Sequence, residues 1–304
     1  MSADQSPIFV IGTGRCGLTP LMDLICYHKA LAWPSQYLNR PYTASKYYLA
    51  ALSRIANHWP SFLPGKHDSK WIPRHSEAFH LWASCFKGFS RPFRDLTGED
   101  VTQSIEEKFK HTFQKIIQFQ GKERIIAEYS GWSRIPFFKK MFPDAKFIHV
   151  VRDGRAVANS FLNVDYWGGW EGVYKWRWGL PSPALMDQFE KHGKSFVALA
   201  GIQWKMLIES CRQNLSKLDP NDYREVRYED MVQAPEATAL QCLDFLGLDP
   251  ECKIFKKNLS QVKIIDANNA PFRISPWKRN LSPIQINMLN DILDKELRHY
   301  GYDI

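Results

Sequence analysis

The sequence predicts a three-layer α/β fold, a central parallel sheet with helices on both faces and a P-loop-like anion-binding loop after the first strand. Three observations predict it. Short apolar runs at Ile8 to Ile11, Arg124 to Ala127, Lys146 to Val151 and Arg224 to Tyr228 read as buried strands. Helical patterns lie between or after these runs, an alternation that builds parallel sheets covered by helices. The glycine-rich stretch "GTGRCGLT", residues 12 to 19, joins the run "PIFVI" to the apolar "PLMDLICYH" in strand, turn, helix order.

Taken in order, the first strand leads into a helix over about 18–28. The region from about 30 to 100 is rich in Trp, Tyr, His and Pro with weak periodicity and reads as an insertion over the sheet. A helix follows over 101–120, where Val101, Ile105, Phe109, Phe113 and Ile117 fall nearly on one face. Further helices are expected over 154–163, 193–217, 235–246 and 283–299. The aromatic stretch "NVDYWGGWEGVYKWRWGLPSP" makes a second insertion at about 163–185. No repeat or composition break divides the chain, so residues 1–304 are expected to form a single domain.

With 304 residues, of which 44% are hydrophobic, the chain can bury a large core. The formal charge of +8 could attract an anionic ligand or simply solvate the surface. It includes no block of like charges and no basic stripe with interleaved aromatics, which argues against nucleic acid. The six cysteines form no CxxC pair and no Cys/His zinc spacing, and so read as buried thiols of a reducing compartment. The polar "MSADQSP" start and the lack of any run of 18 apolar residues suggest a soluble, cytoplasmic protein not tied to a membrane.

The glycine loop meets two fingerprints incompletely. Gly12, Gly14 and Gly17 fit G-x-G-x-x-G, but the dinucleotide reading also needs a second strand ending in an acidic residue. The stretch at that distance, "LAWPSQYLNR", has neither. Gly12, Gly17 and Thr19 fit the Walker pattern except that Leu18 stands at the lysine, which removes the usual charge compensation for a nucleoside triphosphate. What survives is a glycine turn with free amides, a cation at Arg15 and a hydroxyl at Thr19 near a helix start. A tight turn without ligand is the plain alternative. The later stretch "FPDAKFIHVVRDGRAVANSF" puts Arg152 at a strand end and Ser160 two helical turns on, where they could clamp a second phosphate.

The pair "FVIGTGRCGLT" and "FIHVVRDGRAVANS" resembles the 5′-phosphosulfate loop and the 3′-phosphate motif of the sulfotransferases that use 3′-phosphoadenosine 5′-phosphosulfate (PAPS). "REVRYEDMVQAPEATALQCLDFLGL" and "SPWKRNLSP" resemble the family's third recurrent segment and its cofactor-covering loop. The resemblance implies a phosphosulfate-binding loop formed by Gly14, Arg15, Cys16, Gly17, Leu18 and Thr19. It implies that Arg152 and Ser160 hold the 3′-phosphate, and that Tyr228 with Lys278 or Arg279 closes over the nucleotide. PAPS would be the donor and 3′-phosphoadenosine 5′-phosphate (PAP) the product, with no metal required. Cys16 and Leu18 depart from the family's usual Ser or Thr.

Sulfuryl transfer then needs an in-line acceptor, cations such as Arg15 and a base for an alcohol's proton. Related bacterial sequences carry Glu shortly after the first helix, where "LAWPSQY" has Gln36, and an amide cannot accept that proton. Either the base lies elsewhere, or the acceptor needs none, or Gln36 replaces a Glu by design. Glu77, Glu128, His75 and His67 are the alternative bases; His75 and Glu77 could instead only cap or solvate a helix, and Glu128, at a strand end, could pair with a nearby arginine. Trp167, Trp170, Tyr174, Trp176 and Trp178 could line an acceptor pocket or merely pack a lid. The expected acceptor is a small natural product, sugar or lipid-linked alcohol, through oxygen or nitrogen. A PAPS- or PAP-binding protein without turnover and a P-loop-like kinase are the competing readings.

Overall fold

The computed structural model describes residues 6–39, 73–90, 93–260 and 275–304. The chain runs through β1 (Ile8–Gly12), α1 (Leu18–Ile25), β2 (Leu31–Ala32), α2 (Phe79–Cys85), α3 (Gln103–Gln120), β3 (Arg124–Ser130), α4 (Ile135–Met141), β4 (Lys146–Val151) and α5 (Gly154–Phe161). It continues through α6 (Pro183–Lys191), α7 (Phe196–Leu215), β5 (Tyr223–Arg227), α8 (Tyr228–Gln233), α9 (Pro235–Leu246), α10 (Lys253–Leu259), α11 (Trp277–Asn280) and α12 (Pro283–His299).

The sheet order is β2-β3-β1-β4-β5 with every pairing parallel. β1 is buried along its whole length, as a central strand covered on both faces must be. Alternation divides the side chains between two cores. Val10, Ile126, Ile148 and Val150 face α1, α5, α9 and α12, whereas Phe9, Ile11, Ala127, Tyr129 and Phe147 face α2, α3 and α4. The three-layer expectation is therefore met. The connection leaving β1 runs toward β2 and the one leaving β4 runs toward β5, so these neighbouring strands open a crevice at their carboxyl ends.

Helix ends follow local chemistry. Thr102 accepts from the Ile105 amide and Gly121, at φ 62°, ends α3; Ser282 and Gln285 form a capping box for α12. The buried face of α3 carries Phe109, Phe113 and Ile116, with Val101, Ile105 and Ile117 only partly covered, so the apolar stripe is rotated from the expected one.

β3 continues three residues beyond its apolar run, to Ser130. Glu128 thus lies inside a strand and not at its end, because its carboxylate finds a partner that the apolar pattern cannot announce. β5 begins one residue earlier than expected and ends at Arg227, which leaves Tyr228 as the first residue of α8. β2 lies within "LAWPSQYLNR", which reads as strandless because two residues make no apolar run. α2, α4 and α6 are not legible as separate helices. Each has nine residues or fewer, too few for a clear period. Part of the insertion expected over 30–100, including His67, lies outside the described residues.

Candidate active site

Register brings Gly12, Ser130 and Val150 level at the carboxyl edge of the sheet. The loop after β1 turns there through Gly14 (φ 84°), Arg15 (φ 55°) and Gly17 (φ 102°). A side chain at Gly12 would meet Cys16 Sγ at 2.4 Å and the Val150 carbonyl at 2.9 Å, so the loop folds back onto its own strand. Arg15 holds a left-handed conformation without being glycine, which costs about 1 kcal/mol and places its side chain outward.

Four of the sequence-predicted residues converge on this loop. Arg15 Nε donates to Ser160 Oγ at 2.9 Å, and its Nη1 donates to the Tyr166 hydroxyl at 2.9 Å. Arg152 Nη1 donates to the Arg15 carbonyl at 2.9 Å, and its guanidinium lies 4.1 Å over the Tyr228 ring. A Cβ on Gly17 would stand 2.4 Å from Tyr228 Cδ2, so the ring closes directly on the loop. Arg152 Nε is buried with no hydrogen-bond partner among the described residues, a donor left for an anion.

Cys16 and Leu18 turn their side chains into the core, and burial pushes the Cys16 thiol up to about 11. At these two positions only the backbone can meet an anion, which corrects any side-chain role for them. Thr19 is exposed on the first turn of α1. Lys278 and Arg279 sit on α11, where Trp277 stacks against Arg155 of α5 at 4.3 Å. They adjoin the helix that carries Ser160. Lys278 lines a cavity of about 590 Å³ with Arg155, Arg227, Asn290 and Tyr302, and no described contact joins either residue to Arg15 or Arg152.

The base candidates separate sharply. Glu77 is half-buried and accepts from Ser130 Oγ at 3.0 Å, and Ser130 lies against Gly14, 3.6 Å from where its Cβ would be. Burial first, and the charge of Glu128 second, push the Glu77 carboxyl up to about 7, against the opposing pull of Ser130, Arg177 and Arg134. His75 is held at both nitrogens, Nδ1 2.6 Å from Glu128 Oε1 and Nε2 2.9 Å from Asp23 Oδ1. Burial pulls its pKa down but the two carboxylates outweigh that and raise it to about 10. A ring raised to about 10 and bonded at both nitrogens offers no lone pair near neutral pH, which argues against the expectation of His75 as a base.

Glu128 is buried to the same depth, one oxygen committed to His75. Gln36 accepts the Arg74 amide through its side-chain oxygen, beside an isolated bridge between Ser35 and His75. Position 36 thus pins the strap 73–78 onto the segment after β2, and its carbonyl is not turned to an acceptor.

The aromatic insertion divides in two. Trp167, Trp176 and Trp178 are core residues, Trp178 packing on Gly131 just beyond β3. Tyr174 is 78% exposed and Trp170 is 40% exposed. Tyr166, 73% exposed, was not singled out by sequence because one tyrosine in an aromatic-rich loop carries no spacing signal; its bond to Arg15 is purely tertiary. The six cysteines are buried without disulfides. Among the described residues no helix is long and apolar enough to cross a membrane, and no group of three His, Cys, Asp or Glu could hold a metal ion.

Comparison with known proteins adds three findings. The model of the Sulfotransferase family matches residues 7–251. Omega-hydroxy-beta-dihydromenaquinone-9 sulfotransferase Stf3 of Mycobacterium tuberculosis is 25% identical over 318 residues, 98% of this chain and 75% of that protein. Carbohydrate sulfotransferase 2 of Homo sapiens is 27% identical over 196 residues, 55% of this chain and 37% of that protein. Among solved structures, sulfotransferase STF9 from Mycobacterium avium superposes with a TM-score of 0.56 at 14% identity, covering 99% of this chain and 78% of that one. The sulfotransferase domain from the curacin biosynthetic pathway gives 0.51 at 14% identity, covering 99% of each chain.

Proposed function

We propose, on the premise that this chain belongs to the sulfotransferase family and moves a sulfonate group onto an acceptor, that PAPS is the donor and Glu77 the base. PAPS would supply a sulfuryl group carried on a phosphate leaving group. The amides of residues 14–19 would cradle its 5′ end, and Arg152, with its unpaired Nε, would take the 3′-phosphate together with Ser160. Arg15 sits between these two anion sites, and as charge moves to the leaving oxygen its guanidinium would follow it. Tyr228 would shield the loop from above, where it already covers Gly17 and Arg152. Lys278 and Arg279 would join only at the nucleotide's far side. The step calls on no metal.

A single observation carries the assignment of the base. Glu77 reaches the anion loop through one hydroxyl, that of Ser130, and its carboxyl is pushed up to about 7. An acceptor hydroxyl lying between Glu77 and the sulfuryl group would give up its proton to the carboxylate as its oxygen attacks. The preferred acceptor is an alcohol on an apolar carrier. Support comes from the exposed Tyr166, Trp170, Tyr174 and Leu180 of the insertion, which meets Arg15 through Tyr166, and from the full-length likeness to an enzyme named for a hydroxylated menaquinone.

Glu77→Gln tests the reading. PAP should still raise the melting temperature of the variant as it does that of the parent. Release of PAP from PAPS over a panel of apolar alcohols should fall by about 10²- to 10⁴-fold. Turnover retained in full would remove Glu77 from the mechanism. Loss of the PAP-induced shift would mean that the substitution had damaged the donor site instead.

A further inference from the structure

The mechanism leaves one buried ionic cluster without a task. Asp23 comes from α1, His75 from the strap 73–78 and Glu128 from the middle of β3. Both ring nitrogens of His75 meet carboxylate oxygens, at 2.6 Å and 2.9 Å, and a neutral imidazole with one donor cannot satisfy two acceptors. The ring is therefore an imidazolium bound by two anions. Glu128 Oε2, the other oxygen of that pair, is buried with no hydrogen-bond partner among the described residues. A carboxylate left half-unpaired in the interior costs free energy, so its place calls for an explanation beyond tethering.

Glu77 follows His75 by two residues on the same strap. The strap is fastened on one edge by the Gln36 amide donating to the Arg74 carbonyl and the Ser76 amide donating to the Pro34 carbonyl, both at 2.9 Å. On its interior side His75 bonds Asp23 and Glu128, and Glu77 accepts from Ser130. Directly after Glu77 the chain turns left-handed at Ala78, φ 47°, into α2.

We propose that Asp23, His75 and Glu128 form a positioning assembly for Glu77, holding the strap on which it stands and supplying the interior negative charge that acts on it. The proposal rests on the reading of Glu77 as the base. The groups that bear on Glu77 come from every element around it: Glu128 and the Ser130 hydroxyl from β3, Arg134 at the head of α4, Arg177 from the insertion and the neutral Cys16 thiol from the loop. Arg134, Arg177 and Ser130 favour the carboxylate, whereas burial and Glu128 favour the acid. Without Glu128 burial alone would oppose the two arginines and Ser130, and the Glu77 carboxyl, held less far above its ordinary value, would be a weaker base for an alcohol's proton.

The experiment is a carbon-13 titration of the protein with glutamate labelled at the carboxyl carbon, the Glu77 signal being identified by its loss in Glu77→Gln. In Glu128→Gln the midpoint of Glu77 is expected to fall by about one pH unit, while Glu128→Asp, which keeps the charge but withdraws it by one methylene, gives a smaller fall. PAP should stabilise both variants. Nitrogen-15 spectra should find both His75 nitrogens protonated at pH 8 in the parent protein. An unmoved midpoint in both variants, or a singly protonated His75 at pH 8, overturns the assembly. Should Glu128→Gln fail to fold, the Glu128→Asp midpoint and the His75 spectrum still decide. Retained turnover in Glu77→Gln with a shifted midpoint would instead sink the base and leave the coupling standing.

Discussion

Two corners of the same sheet edge are built on opposite principles. At the β1–β4 crevice the donor corner is made of backbone amides in a left-handed turn and of arginines, whose charge is fixed at every physiological pH. At the β1–β3 side, the corner we assign to proton transfer is built around Glu77 and His75, whose ionisation is shifted by burial and by neighbouring carboxylates. The first corner binds whatever its geometry admits. The second must be tuned, because a base is useful only when its pKa lies near the working pH. On this reading anion binding is set by conformation and acid–base chemistry by environment, in two corners with Ser130 between them.

The largest effect that would break this division lies at Arg15. Arg15→Ala should lower transfer by about 10²- to 10³-fold while Glu77 titrates nearly as before, since the two corners share no ion pair. A large change in the Glu77 midpoint would show that the corners are one electrostatic unit.

Next, Arg152→Ala should weaken PAP binding by about 10- to 100-fold, as expected for a charge-assisted hydrogen bond worth about 1.5–3 kcal/mol. The effect on adenosine 5′-monophosphate, which lacks the 3′-phosphate, should be smaller in calorimetric titrations. Equal losses for both would move Arg152 away from the 3′ end.

A third test sharpens the contrast through pH. His75 is protonated more readily in the folded chain than in the unfolded one, its pKa rising from 6.5 to about 10. Its contribution to stability is therefore complete below pH 6.5 and is lost as pH rises through about 10. Melting temperature should decline between pH 7 and pH 10, and Asp23→Asn should flatten that decline. Arg15→Ala should leave that decline as it is, because Arg15 has no part in holding the His75 ring.

The smallest effect is expected at position 36. Gln36→Glu keeps an oxygen for the Arg74 amide and should alter turnover by no more than about twofold, the scale of a substitution that leaves its contacts in place. A tenfold gain would place the base at position 36 and withdraw Glu77.

The sequence by itself determined the parallel sheet, four of its five strands and the two motifs that we assign to the donor. It could do so because Gly14, Arg15 and Gly17 are contiguous, and because Arg152 and Ser160 lie within one strand-to-helix unit where local geometry sets their spacing. The helices expected over 235–246 and 283–299 are found as α9 and α12. Only the tertiary structure decided among Glu77, Glu128, His75 and Gln36. These side chains come from three segments, and their roles turn on which oxygen faces which nitrogen and how much water reaches them. Tyr166 belongs to the same class, since its bond to Arg15 spans 151 residues of chain. A motif records the conformation of neighbours in sequence, whereas a pKa records neighbours in space, and packing alone brings those together.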